Sequence, residues 1–360
     1  MNTKHFLTGF LCTLLVAGLF PFTNYVLTHL SGEQTLYCQI IARLQKNADS
    51  LYDPLIISDY NSYKVRLCEE LRPRIAVVGS SRALELRASF FQQSFANCGL
   101  GIRRATDLAW FADAVAQDSL PNMVLLSVDF WWFTPDPRKQ VVEEKRTLSD
   151  GTQRNLDMFL MPLVYAAQGK LRLNNVLALS PFLRGEAEPV RIGMRAQEKD
   201  EGFQADGSYL YKKTYKSMTS EEVARHVNSE FVGTGVFTYD NGFHSRPIDD
   251  FFRDVDALRA KGVTVITYLP PVAPSLYDAF SKDPRYAYIF QTLSYIRERY
   301  PILDYTDPYH LGAADGDFID ATHPSPRVNA ALLLDMLHRE PALTPYISKE
   351  GLAACMERES

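Results

Sequence analysis

At 360 residues, with 46% hydrophobic and 22% charged side chains, the chain can bury a sizeable core as one large domain or two small ones, and it is too apolar to be disordered overall. A formal net charge of -5 provides no basic face, so nucleic acid is not expected as a partner.

From Phe6 to Leu30 the sequence has no Asp, Glu, Lys or Arg. About 20 apolar residues take a helix across the hydrocarbon core. Residues 1–30 therefore read as an uncleaved signal anchor, a transmembrane helix whose distal end Pro21 and Asn24 are expected to kink or fray. A cleavable signal peptide is the competing reading, but such peptides have an apolar region of about 7 to 15 residues and an A-x-A-like site, which is not evident here. Lys4 before the span and Glu33 after it put the N-terminus in the cytoplasm and the rest of the chain outside, which in a bacterium means the periplasm. Cys12 lies in the span, while Cys38, Cys68, Cys98 and Cys355 fall where disulfides can form, with three pairings open. No cysteine or histidine cluster has zinc spacing, and no metal or other cofactor is implied.

Residues 31–71 read as a membrane-proximal helical linker, with Leu36, Ile40, Ile41 and Leu44 at helical spacing. Strand-like runs follow at Ile75–Val78, Phe95–Asn97, Met123–Val128, Val263–Leu269 and Ile302–Tyr305, with helical patterns between several of them. In "IDDFFRDVDALRAKG", Phe251, Phe252, Val255 and Leu258 form one stripe that ends at Gly262, a natural C-cap. This alternation predicts an α/β domain over 72–345, with a mainly parallel sheet covered on both faces, and a tail at 346–360. A segment at about 134–246 interrupts the alternation. It includes "EEKR" and the tyrosine-rich "GFQADGSYLYKKTYKS", and insertions of this length are lids, binding elements or subdomains with their own small core.

In open α/β sheets ligands gather at the carboxyl ends of the strands. Three such ends carry polar or glycine-bearing turns: "GSSR" at Gly79–Arg82, "NCGLG" at Asn97–Gly101 and "SVDFWWF" at Ser127–Phe133. Gly79 is followed by neither the dinucleotide nor the P-loop pattern. Ser80 and Ser81 then have two readings, a helix N-cap or a nucleophile. A second motif weighs on the choice. In "DFIDATHPSPRVNAALLLDML", Pro324 biases His323 towards an extended backbone on a loop, and Ser325-Pro326 makes a cap and first-turn pair for the next helix. Asp320, three residues before His323, can hold the imidazole in one tautomer while Nε2 faces a serine. His226, His244 and His310 have no comparable partner pattern.

A serine after the first strand, a glycine-bearing turn after the second and a D-x-x-H before a C-terminal helix resemble the SGNH/GDSL hydrolase superfamily. The resemblance implies a flavodoxin-like three-layer α/β/α sandwich, with Ser81 as nucleophile, His323 as general base and Asp320 as orienting acid. It also implies an oxyanion hole near Asn97, Gly99 and Gly101. Where the family's third block has an asparagine donor, this sequence has Asp129, a carboxylate that would repel a developing oxyanion. Ser80, Arg82, Asp129, Trp131 and Trp132 are candidates for the substrate pocket, although aromatic clusters such as Trp131-Trp132-Phe133 also serve as core. With its N-terminal anchor and G-S-S-R turn, the chain looks similar to the membrane-anchored branch of the superfamily, which works beside membrane-bound O-acyltransferases on envelope polysaccharides. The expected function is an extracytoplasmic serine esterase or O-acyltransferase moving a small acyl group, such as acetyl, on an envelope glycan. The alternative is a non-catalytic adaptor with the same fold that binds glycan or a membrane-bound acyltransferase partner.

Overall fold

The computed structural model describes residues 3–56, 58–134, 147–152, 156–173, 190–212 and 214–359. The "EEKR" run lies outside them. The chain divides into two units, Met1–Asp59 with Ser149–Ala205, and Tyr60–Leu148 with Asp206–Ser360.

The first unit begins with one continuous helix, Thr3–Leu30, whose stretch Leu7–Leu30 is long and apolar enough to cross a membrane. Pro21 does not fray its distal end as expected, because side chains anchor the turns that follow. Asn24 Nδ2 donates to the Phe20 carbonyl at 2.9 Å, and the Thr28 hydroxyl donates to the Asn24 carbonyl at 2.8 Å. Helix Tyr37–Lys46 then buries Tyr37, Ile40, Ile41 and Leu44, three of which are the expected apolar positions. Leu51–Tyr52 pairs in parallel with Arg191–Ile192, and Tyr52 pairs antiparallel with Phe203. The linker segment and much of the insertion thus fold together, joined by contacts that no local periodicity announces. Helix Tyr60–Leu71, expected in the linker, belongs to the second unit.

The second unit is built on five parallel strands: β1 (Ile75–Gly79), β2 (Phe95–Gly99), β3 (Met123–Ser127), β4 (Thr264–Leu269) and β5 (Ile302–Asp304). Each lies within a residue or two of its expected run, and the spatial order is β2-β1-β3-β4-β5. Alternate residues enter two separate cores. Ala76, Val78, Val124 and Leu126 join Val65 and Cys68 of Tyr60–Leu71 and Phe251 and Val255 of Ser245–Ala260. Ile75, Val77, Met123 and Leu125 join Leu332 and Leu333 of Pro326–Arg339. Strands covered on both faces read as unbroken apolar runs, which is why their positions were visible in sequence.

One expectation is corrected here. The segment 346–360 is no tail: helix Lys349–Glu359 sets Leu352 and Cys355 into the second core. The five cysteines are free thiols. Cys68 and Cys98 meet in the core, where their mutual hydrogen bond, together with burial, pushes the Cys68 thiol well above its ordinary pKa.

Candidate active site

The turn after β1 is tight for a steric reason. A Cβ on Gly79 would lie 2.6 Å from Ser127 Cβ of β3, so only glycine lets the two strand ends approach this closely. The chain then enters a single 3-10 turn, Ser81–Ala83, capped by Ser80, whose hydroxyl accepts from the Arg82 N–H at 3.2 Å. The two serines therefore divide the two sequence readings between them. Ser80 is the cap, and Ser81 is free to present its hydroxyl.

That hydroxyl meets His323. Nε2 lies 2.7 Å from Ser81 Oγ, and Nδ1 lies 2.8 Å from each oxygen of Asp320. Burial alone would raise the Asp320 carboxyl, but the charge of His323 and hydrogen bonds from His323 and Thr322 outweigh it and hold the group well below the usual carboxylate range. An ionised carboxylate only accepts hydrogen bonds. Nδ1 therefore carries a proton, and in the neutral imidazole this tautomer leaves Nε2 as the acceptor facing the serine.

The loop that presents the histidine is closed on itself. Asp320 Oδ1 accepts the backbone N–H groups of Thr322 at 2.8 Å and His323 at 3.1 Å, and Ile319 N–H donates to the His323 carbonyl at 2.9 Å. Ser325 caps the following helix with its hydroxyl towards Val328 N–H, as the Ser325-Pro326 pair predicts. Part of the insertion reaches this loop. Tyr215 N–H donates to the Phe318 carbonyl at 2.9 Å, and the Tyr211 ring lies 6.1 Å from the His323 ring.

Arg82 has a different role from the one expected. It is 2% exposed and so lines no open pocket. Its guanidinium instead ties the serine turn to the ends of β3 and β4 and to the histidine loop. Nη1 donates to Asp129 Oδ1 at 3.2 Å, Nη2 to the carbonyls of Pro270 and Pro271 at 2.7 and 2.6 Å, and Nε to the carbonyl of Thr322 at 2.9 Å. Asp129, 1% exposed, is likewise no pocket residue and no unpaired carboxylate aimed at an oxyanion. Burial pushes its carboxyl up, and the Arg82 charge and hydrogen bonds from Ser80 and Arg82 only partly oppose this. Trp131 covers the guanidinium, with its ring centroid 4.8 Å away, and also packs edge-on against Phe237. Trp132 packs against Phe251. Both tryptophans follow the core reading.

The glycine block is also corrected. Asn97 is fully buried. Its Nδ2 donates to the Ala83 and Leu86 carbonyls, and its Oδ1 accepts the Gly99 N–H at 2.8 Å. Gly101 N–H is taken by the Cys98 carbonyl at 2.9 Å. These three residues brace the serine turn, and in this geometry none offers a free donor. Lys64 supports the same block from below, donating to the carbonyls of Asn97 and Gly207, and burial pushes its pKa down to about 7. Leu100, between the two glycines, has φ +67, a left-handed backbone that costs a branched side chain energy and that nothing in the sequence signals.

His226 packs edge-on against Tyr215, and His310 shares a hydrogen bond with Arg339. No protein-family model matches the chain, and no curated protein sequence matches it.

Proposed function

We propose that the chain is an SGNH-type serine esterase or O-acyltransferase that moves a small acyl group, acetyl by preference, on an envelope polysaccharide. In this reading it is held in the cytoplasmic membrane by its single N-terminal span, with the catalytic unit in the periplasm. The observation that carries the proposal is the unbroken relay from Ser81 Oγ through His323 to Asp320 at the carboxyl end of a parallel sheet. The strand order 2-1-3-4-5 and the two covered sheet faces support a flavodoxin-like α/β/α sandwich.

Ser81 Oγ attacks the acyl carbonyl as its proton passes to His323 Nε2, and Asp320 stabilises the resulting imidazolium. Collapse of the tetrahedral intermediate expels the alcohol, which takes that proton and leaves an acyl-serine. A sugar hydroxyl or water then reverses the steps. We assign the oxyanion to the N–H groups of Ser81 and Leu100, which lie just beyond the ends of β1 and β2. The engaged N–H groups of Gly99 and Gly101 favour the adaptor as a second reading, with envelope glycan or a membrane-bound O-acyltransferase as its partner.

The test is mass spectrometry of the purified full-length protein after incubation with 4-nitrophenyl acetate. An acetyl adduct on Ser81 that disappears in His323→Ala supports the enzyme. No adduct, or one indifferent to His323, leaves the adaptor.

A further inference from the structure

The first unit holds an apolar element that the triad does not use. Counted from Leu7, a hydrocarbon core of about 30 Å is crossed by about 20 helical residues at ~1.5 Å each, which brings the N-terminal helix to its far boundary near Val26. The segment Leu156–Ala167 is fastened at this depth. Leu163 N–H donates to Asn24 Oδ1 at 2.7 Å, and the Thr28 hydroxyl, whose single proton is shared with the Asn24 carbonyl, lies 3.1 Å from the Met158 carbonyl. Phe159 stacks on Tyr25, with centroids 5.5 Å apart and ring planes 10° apart.

The segment reads LDMFLMPLVYAA, with Asp157 its one charged residue. It forms a 3-10 turn, Leu156–Phe159, and a short helix, Met161–Ala167. Met158 and Pro162 face the protein, whereas Leu156 is 74% and Leu160 41% exposed. Phe22 of the helix, 64% exposed, opens onto a recess shared with Tyr25, Met158 and Phe159. Isolated exposed leucines are ordinary on a protein surface. Here they continue the outward apolar face of a membrane helix at the level where that helix leaves the hydrocarbon. The segment is followed by Lys170, whose ammonium lies 5.6 Å from the Tyr165 ring, an aromatic and basic pairing suited to a headgroup layer.

We infer that Leu156–Tyr165 is a second membrane element, which inserts Leu156 and Leu160 among the acyl chains of the leaflet from which the N-terminal helix emerges. The occupant of this surface is lipid. The inference rests on reading the N-terminal helix as a membrane span, and the test separates the two.

Purified full-length protein carrying Cys12→Ala and Cys38→Ser, whose other thiols are buried, is reconstituted into vesicles of phosphatidylethanolamine and phosphatidylglycerol. Single cysteines are introduced at Leu14, Ala48, Leu156 and Leu160, and a charged, impermeant maleimide is added. Ala48→Cys, exposed in the same unit, sets the reference rate. Leu156→Cys and Leu160→Cys are expected to react at least about tenfold more slowly than Ala48→Cys, because hydrocarbon excludes a charged reagent, and to react fully after denaturation. Both positions are exposed, so the substitutions spare the fold. Reaction at the reference rate with Leu14→Cys protected overturns the inference and leaves the span standing. Reaction of Leu14→Cys at the reference rate overturns the span and the inference with it. Protection seen in native membranes but absent from the pure-lipid vesicles assigns the surface to a protein partner, which also overturns it.

Discussion

Two carboxylates, Asp320 and Asp129, are tied to the same serine turn, and their surroundings push them in opposite directions. Asp320 is one third exposed and takes its partners from residues two and three positions along the chain, Thr322 and His323. Asp129 is sealed in the core and takes its charged partner, Arg82, from another strand end. His323 and local hydrogen bonds hold the first carboxyl down, whereas burial drives the second up in spite of an arginine. A carboxylate that is solvated, locally bonded and aimed at an imidazole is equipped for chemistry. One that is dehydrated and locked to a guanidinium holds strand ends in register, and the cost of dehydrating both charges means that such a pair adds little net stability although it is expensive to break.

The largest expected effect sharpens this contrast on the side of rate. Asp320→Asn leaves the loop geometry intact but permits the wrong imidazole tautomer, and should lower the rate of Ser81 acylation by about 10⁴-fold. Its melting temperature should stay close to that of the unaltered protein. A variant that loses stability but keeps its rate would reverse the roles assigned to the two carboxylates.

The next effect lies on the side of stability. Arg82→Met strands a buried carboxylate and leaves the carbonyls of Pro270, Pro271 and Thr322 without their donor, so chemical denaturation should show a loss of about 3–5 kcal/mol. Asp129→Asn should cost about 1–3 kcal/mol, since it keeps an acceptor but not the charge. The double variant Arg82→Met/Asp129→Leu should be more stable than Arg82→Met alone. If the loss in Arg82→Met/Asp129→Leu equals the sum of the losses in Arg82→Met and in Asp129→Leu measured separately, the pair is not coupled and Arg82 acts only through the carbonyls.

How far these roles could be read from the sequence follows the same division. Ser81, Asp320 and His323 were legible because each sits in a local pattern: a strand that ends at a glycine, a three-residue acid-to-base spacing, a proline that forces a loop. The five strands were legible because both faces of each are buried. The Arg82–Asp129 pair was not, since it joins residues far apart in sequence, and Asp129 looked like a defect when set against a family asparagine. A usable clue was present in the arginine beside the serine, whose charge matches the unexpected carboxylate. The engaged N–H of Gly99 depends on the Asn97 rotamer, and the left-handed backbone of Leu100 on loop closure, neither of which residue type dictates. The small sheet joining Leu51–Tyr52 to Arg191–Ile192 escaped notice because two-residue strands carry no period.

The smallest effect tests the opposed carboxylates most directly, through the acid limb of stability. A carboxyl whose folded pKa is depressed contributes stability that is complete above the ordinary carboxylate range and is lost as pH falls below it, because the unfolded chain takes up the proton first. Asp320 is such a group, so Asp320→Asn should make the acid limb shallower. For a carboxyl whose folded pKa is raised, the native state holds more protons than the unfolded chain between the ordinary and the raised value, and stability falls as pH rises through that interval. Asp129 is of this kind, so Asp129→Asn should remove that fall and leave the acid limb steeper than in the unaltered protein, whatever its effect on overall stability. For Asp320, which is partly solvated and screened, the change should stay below about 1 kcal/mol and shrink further in salt. Urea denaturation of the three proteins at intervals from neutral to acid pH provides the comparison. Slopes that change in the same direction in both variants would mean that the two carboxylates share one environment, and the division between a chemical and a structural acid at this turn would fail.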